Sequence, residues 1–269
     1  MKICIFENGL VPDDLSPTYG SYPDMISRWL GPSLPEASFF LCSPVSGESL
    51  PSPDAYDGYI LSGSRHSSYD ELLWMQSMRS FLREVKDMDR PVFGICFGHQ
   101  IMADAFGGLT QKAKNGWGIG VQKYFSSLSS DCFSTGTFVF HQDQVAILPP
   151  EAKVAGGSEH CPNGIIQYDF PALSVQFHPE FSRDYVKELV ARYSGSTIPE
   201  ATCRSAINSL HEIPVDGSPL ATYVADFFRR WIELSRTFRH SEDIENRVVR
   251  SDINHSTIRN ATRTTPSGN

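Results

Sequence analysis

Pro91-Val-Phe-Gly-Ile-Cys-Phe-Gly-His-Gln100 reads as a buried strand that runs into a helix, with a cysteine at the junction. Val92 to Ile95 is a short apolar run, and Gln100 onward, with Ile101, Met102, Ala103, Ala105 and Phe106, has the character of a helix. Gly94 and Gly98 flank Cys96 at a spacing of two. A side chain on such a turn needs small neighbours, because its backbone is sharply bent and strained. Its sulfur lies near a helix N-terminus, where aligned peptide dipoles favour negative charge. Reactivity, rather than packing, is the natural reading of Cys96.

Working outward, strand-like runs at Lys2 to Phe6, Ala37 to Ser43, Gly58 to Ser62 and Val92 to Cys96 alternate with helix-like segments. Those segments are Tyr22 to Leu30, Leu72 to Met88 and Gln100 to Phe106. The alternation predicts βαβ units and an α/β fold, an open doubly wound, mostly parallel sheet flanked by helices. Ligand chemistry then belongs at the carboxyl ends of the strands, where Cys96 and Gly63 both fall. From Gly118 to Gln176 the strand candidates become shorter: Gly118 to Tyr124, Thr137 to Phe140, Lys153 to Ser158, Ile165 to Tyr168 and Ala172 to Gln176. These predict a meander on the sheet edge. Ser174-Val-Gln-Phe-His-Pro-Glu180 ends the last run with a histidine and a carboxylate two residues apart, and a helix is expected at Arg183 to Tyr193.

A net charge of -8 and the lack of a basic stripe before the C-terminal tail argue against nucleic acid as a partner. No stretch approaches the ~18 apolar residues of a membrane span, and the apolar run at Met1 to Phe6 is too short for a signal peptide. The six cysteines show no Cys-x-x-Cys pair or regular framework, so no zinc site or disulfide scaffold is indicated and a cytoplasmic setting is expected. Cys4 and Cys42 read as small buried hydrophobes. Beyond Gly195 the clearest element is an amphipathic helix, Ala221 to Phe238, suited to core packing or to a partner. The expected organisation is a catalytic domain over residues 1–195, a helical extension packed on it over 196–240, and a mobile polar tail over 241–269. Arg247, Arg250, Arg259 and Arg263 in that tail read as solvated charge.

Gly94-x-Cys96-x-Gly98-x-Gln100, His178-Pro179-Glu180 and the 82-residue separation of Cys96 from His178 resemble the glutaminase domain of class I glutamine amidotransferases. The resemblance covers roughly residues 1–195. Within the family, Tyr56 to Ser64 and His141-Gln-Asp-Gln-Val145 look most like stand-alone members, including the γ-glutamyl peptidases, and like the corresponding domain of GMP synthases. It implies a flavodoxin-like three-layer fold, a Cys96, His178 and Glu180 triad, and hydrolysis of a γ-glutamyl C–N bond through a thioester. It also implies an oxyanion hole from the N–H groups of Gly63 and Phe97, and substrate contacts from Gln100, Ser64, His141 and Asp143. Most relatives read Gly-Gly-Pro where this chain reads Ser62-Gly63-Ser64, which puts the stiffness of that hole in question.

His141 and Asp143 either line the substrate pocket, as the resemblance implies, or hold a turn by side-chain to backbone bonds. His99 is expected on the helix surface, and Arg65 and His66 either sit over the pocket or are solvated on the Ser64 to Asp70 loop. His160 and Cys161 lack metal-ligand companions, and no metal or cofactor is implied. Three functions compete. One is a glutaminase that acts on glutamine, a small-molecule substrate, and releases ammonia to a separate synthase subunit. Another is an independent γ-glutamyl peptidase acting on glutathione-like conjugates. The last is a non-catalytic regulatory module on the same fold.

Overall fold

A computed structural model describes residues 1–128, 136–235 and 237. In chain order its strands are β1 (Lys2–Phe6), β2 (Ser38–Cys42), β3 (Gly58–Leu61), β4 (Val92–Ile95), β5 (Leu109–Lys112) and β6 (Gly118–Lys123). They continue as β7 (Phe125–Ser126), β8 (Gly136–His141), β9 (Asp143–Ile147), β10 (Ala152–Gly157), β11 (Ile165–Tyr168) and β12 (Ala172–Val175). The helices are α1 (Ser16–Tyr19), α2 (Tyr22–Leu30), α3 (Leu73–Asp87), α4 (Phe97–Ala105), α5 (Arg183–Tyr193), α6 (Glu200–Glu212) and α7 (218–235).

One sheet in the order β2-β1-β3-β4-β12-β11-β10-β7 organises the molecule. Its first five strands are parallel. Side chains alternate between the two faces, as the pleat requires. Ile3, Ile5, Ile60 and Phe93 pack with Ile26 and Leu30 of α2 and with Val224 and Phe228 of α7. Cys4, Phe6, Tyr59 and Leu61 pack on the other face with Met78, Phe81 and Leu82 of α3 and Phe97 and Ile101 of α4. The result is three layers, helix on sheet on helix, with the order 2-1-3-4 about β1 that defines a flavodoxin-like sheet.

Local chemistry starts the helices. Ser21 accepts from the Asp24 N–H while Asp24 accepts from the Ser21 N–H, a capping box with Pro23 in the first turn of α2. Ser182 caps α5 by accepting from the Tyr185 N–H. In α3, Met75, Met78, Leu82 and Val85 recur at helical spacing and face the sheet.

Three expectations need correction. The segment from Gly118 to Gln176 is not a single edge meander. Only β7, β10 and β11 extend the sheet antiparallel, whereas β6 pairs with β8 and β5 with β9 as separate two-stranded ribbons. β12 returns to the centre and pairs in parallel with β4, because its four residues are buried on both faces, as a central parallel strand demands. A helix not foreseen, α6, buries Cys203, Ala206 and Leu210 beside β6, close enough that a Cβ on Gly120 would lie 2.8 Å from the Ala206 Cα. Finally, the last helix starts at 218 rather than 221 and supplies Phe228, which is fully buried against Gly58 of β3. The expected tail over 241–269 lies outside the described residues.

Candidate active site

The carboxyl ends of β3, β4 and β12 meet at one point. Cys96 follows β4 directly and stands at the N-cap of α4 with φ 52° and ψ -102°. An L residue at such angles carries strain of about 1–3 kcal/mol, which surrounding contacts must offset. Its N–H donates to the Val175 carbonyl of β12 (2.9 Å), and its own carbonyl accepts from the Gln100 N–H (3.1 Å). Gly98 lets the elbow approach β3, for a Cβ there would sit 2.5 Å from the Leu61 carbonyl oxygen.

His178 follows β12 by three residues and is buried. Its N–H donates to the Phe138 carbonyl of β8 (2.8 Å), tying the turn to the β6–β8 ribbon. Its Nδ1 lies 2.8 Å from Glu180 Oε1, which sets the ring in its own plane. Burial alone would push the imidazole down, but the Glu180 carboxylate and the Cys96 sulfur, which also hydrogen-bonds to it, hold it at about 10. The bare Cα of Gly63 completes the point, since a Cβ there would lie 2.8 Å from His178 Cε1 and 3.7 Å from Cys96 Cβ. Cys96, His178, Glu180 and Gly63 are thus brought together. Phe97 is the first residue of α4, so its N–H is among the helix-start amides that lack an intrahelical acceptor.

The expected substrate contacts are dispersed around this point. Gln100 is buried, and its Nε2 donates to the Asp143 carbonyl (2.9 Å) and to Gln176 Oε1 (3.1 Å). The Asp143 carboxylate accepts from Ser67 Oγ (2.6 Å) and Tyr69 OH (3.0 Å). Ser64 Oγ accepts from the His66 N–H (3.1 Å), and His66 Nδ1 is 3.6 Å from Asp70. Arg65 is exposed. His141 Nδ1 lies 3.2 Å from the Asp143 carbonyl, and burial, with His160 and His178 nearby, pushes its imidazole down to about 3. His99 is corrected from surface to core. It is fully buried, its Nδ1 is 2.8 Å from Ser174 Oγ, and burial pushes it down to about 3. Among the described residues, no group of three or more His, Cys, Asp or Glu is arranged to hold a metal.

Sequence reading missed the aromatic support of the histidine. Phe181 stacks face to face on His178, with centroids 3.9 Å apart and planes within 6°. Tyr22 stacks on Phe181 in turn (5.9 Å), and its hydroxyl is 3.2 Å from that of Tyr185. Burial, then Tyr185, Glu180 and Cys96, push the Tyr22 phenol well above its usual value. The position of Phe181 next to Glu180 was the one local hint; nothing in the sequence links Tyr22 to it.

A flavodoxin-like sheet with an elbow cysteine, a buried His–Glu pair and a bare glycine at the ends of three parallel strands defines a class of cysteine-centred α/β domain. Over residues 43–190 the chain matches the model of the family glutamine amidotransferase class-I, and it belongs to that family. It is 26% identical over 187 residues to γ-glutamyl peptidase 2 of Arabidopsis thaliana, covering 65% of this chain and 75% of the relative. A GMP synthase [glutamine-hydrolyzing] of Chlamydia caviae is 32% identical over 132 residues, or 46% of this chain and 25% of that protein. The crystal structure of a glutamine amidotransferase from Thermotoga maritima superposes with a TM-score of 0.65 at 21% identity, covering 87% of this chain and 98% of that one, a likeness of fold. No helix among the described residues is long and apolar enough to cross a membrane.

Proposed function

We propose that this chain hydrolyses the γ-glutamyl C–N bond of a small molecule with Cys96 as nucleophile. His178 Nε2 takes the thiol proton to give an imidazolium–thiolate pair, and Cys96 Sγ then attacks the γ-carbonyl carbon. The oxyanion is received by the N–H groups of Gly63 and Phe97, each such donor being worth roughly 3 kcal/mol. The C–N bond breaks as His178 returns the proton to the leaving nitrogen, giving a γ-glutamyl thioester. Water, deprotonated by His178, attacks the thioester carbonyl; the C–S bond breaks, the γ-carboxylic acid leaves, and the proton on His178 returns to sulfur. Glu180 holds the imidazole tautomer and steadies its charge. Gln100, Ser64, His141 and Asp143 surround the substrate, either touching it or holding the walls that do.

The observation that carries this reading is the strained Cys96, with φ 52°, set against both His178 and the bare Cα of Gly63. A strained residue at a buried polar junction is what a nucleophile requires and what a structural cysteine has no need of. For the leaving group, glutamine and its ammonia are the family's reading, with a synthase subunit as acceptor. The relative named γ-glutamyl peptidase 2, aligned over 75% of its own length, favours a peptide amine instead. The five described cysteines are unpaired, which suits the reducing cytoplasm proposed for it.

The test is a panel of glutamine, γ-glutamyl-cysteinyl-glycine and γ-glutamyl anilide, scoring ammonia against released amine. Mass spectrometry of a slow variant such as Glu180→Gln is expected to show a γ-glutamyl adduct on Cys96. If no compound in the panel acylates Cys96, alone or with candidate synthases, the non-catalytic module becomes the better account.

A further inference from the structure

The segment from Gly63 to Asp70 is fastened to the nucleophile's helix by two carboxylates. Ser67 Oγ donates to Asp143 Oδ2 (2.6 Å) and Tyr69 OH to Asp143 Oδ1 (3.0 Å), so the segment takes both oxygens of that group. Between them the buried Ser68 donates its Oγ to Asp104 Oδ2 (2.6 Å), and Arg79 donates to the Ser68 carbonyl. Asp104 belongs to α4 itself. Asp143 is tied to α4 through its main-chain carbonyl, which accepts Gln100 Nε2 (2.9 Å).

Three consecutive residues therefore reach two carboxylates that answer to one helix, and that helix carries Cys96 at its N-cap. No ion pair among the described residues includes Asp104 or Asp143. Asp143 accepts from hydroxyl groups alone, while Asp104 accepts the Ser68 hydroxyl on Oδ2 and the Thr110 N–H on Oδ1 (2.7 Å); short O–H···O⁻ bonds are among the stronger hydrogen bonds a protein makes. The other end of the segment is pinned sterically, since Gly9 has room only for a hydrogen atom where Ser64 Cα approaches its virtual Cβ to 2.7 Å.

We infer that Asp143 and Asp104 are positioning residues, clamping residues 67–69 onto α4 so that the Gly63 N–H keeps its alignment with the carbon bound to Cys96. This rests on the roles proposed above for Cys96 and Gly63. Asp143 then acts through the loop, with each of its carboxylate oxygens already accepting a hydroxyl of the segment. The clamp also answers the departure at Ser62-Gly63-Ser64: the stiffness that a Gly-Gly-Pro sequence builds into the chain is supplied here by side chains from elsewhere in the fold.

The experiment varies the loop's donors in the full chain, with Ser67→Ala, Tyr69→Phe and the two combined, beside Asp143→Asn and Asp143→Ala. Hydrogen exchange of the amides of 64–70 reads the clamp directly, and kcat and KM on the active γ-glutamyl compound read its use. The double variant and Asp143→Ala are expected to speed exchange roughly tenfold or more and to lower kcat roughly 100-fold, with KM within about threefold. Asp143→Asn keeps one acceptor oxygen and should fall between wild type and Asp143→Ala. Unchanged exchange in Asp143→Ala overturns the clamp whatever the activity. Faster exchange with unchanged kcat overturns its role in alignment, and a raised KM with unchanged kcat shows that Asp143 binds substrate. Wild type that turns over no γ-glutamyl compound while the loop responds as expected overturns the reading of Cys96 and upholds the clamp.

Discussion

Cys96 and His178 lie side by side, yet the first is held by main chain and the ring of the second by side chains. The cysteine's place is set by a left-handed φ of 52°, by its N–H on the Val175 carbonyl, and by a glycine that lets Leu61 come close. The histidine ring is set in plane by Glu180 and across its face by Phe181. Main-chain geometry of this kind is steric and close to all-or-none. Side-chain support is graded, each partner contributing a part that can be removed alone.

The contrast makes ordered predictions. Cys96→Ala and His178→Ala should each abolish turnover, and Gly98→Ala should come close, because its Cβ must displace the Leu61 carbonyl from 2.5 Å. A shift of about 1 Å at reacting atoms costs ~100-fold. Steady-state kinetics on soluble, folded Gly98→Ala would break the contrast if activity were near wild type.

Glu180→Gln should leave a measurable rate, roughly 100-fold below wild type, since it removes charge while keeping a hydrogen-bonding group. The same variant should alter the pH dependence of stability. In the fold His178 stands at about 10 against an ordinary value of 6.5, so it binds its proton more tightly when folded. Its stabilisation is therefore whole below pH ~6.5 and is lost as pH climbs through about 10. Melting temperatures measured from pH 6 to 10 should fall in wild type and fall less steeply in Glu180→Gln. Equal slopes would show that the carboxylate does not hold the imidazolium.

Phe181→Leu keeps bulk and loses the aromatic face. A stacked pair is worth about 0.5–1.5 kcal/mol, so activity should drop roughly 2- to 10-fold and the His178 titration should move down, read by NMR of the ring proton. Phe181→Tyr should restore both. The smallest effect concerns strain itself: Cys96→Gly should melt no lower than Cys96→Ala, because glycine accepts a positive φ that alanine resists. An alanine variant clearly more stable than the glycine one would mean the elbow carries little strain.

Much of the sheet was legible because its strands are short apolar runs. Lys2–Phe6, Ile165–Tyr168 and Arg183–Tyr193 have the bounds their patterns predict. The pairing of β12 with β4 was not legible, since a buried run says that a strand is central without saying beside which neighbour. α6 hid because its buried positions include Cys203 and Ala206, too small to make a strong apolar stripe. At the site, two motifs drew attention to Cys96, His178, Glu180 and Gly63, and the fold brings these four together; what each does is the proposal above. His99 went astray because Ser174, the polar partner that makes its burial tolerable, is 75 residues away in sequence. The same distance problem concealed Tyr22 behind Phe181 and the hydroxyls behind Asp143.

The parallel pairing of β12 with β4 has a consequence for how the protein is made. His178 is synthesised 82 residues after Cys96, and the Val175 carbonyl that receives the cysteine's N–H comes nearly as late. At ~5–20 residues per second, a nascent chain spends roughly 4 to 16 s with Cys96 already synthesised and His178 not yet in existence. During that interval β4 lacks its inner neighbour, and the Cys96 N–H lacks the Val175 carbonyl that receives it in the fold. The insertion of one late strand therefore joins β4 to β11 and brings His178 to Cys96 in a single event.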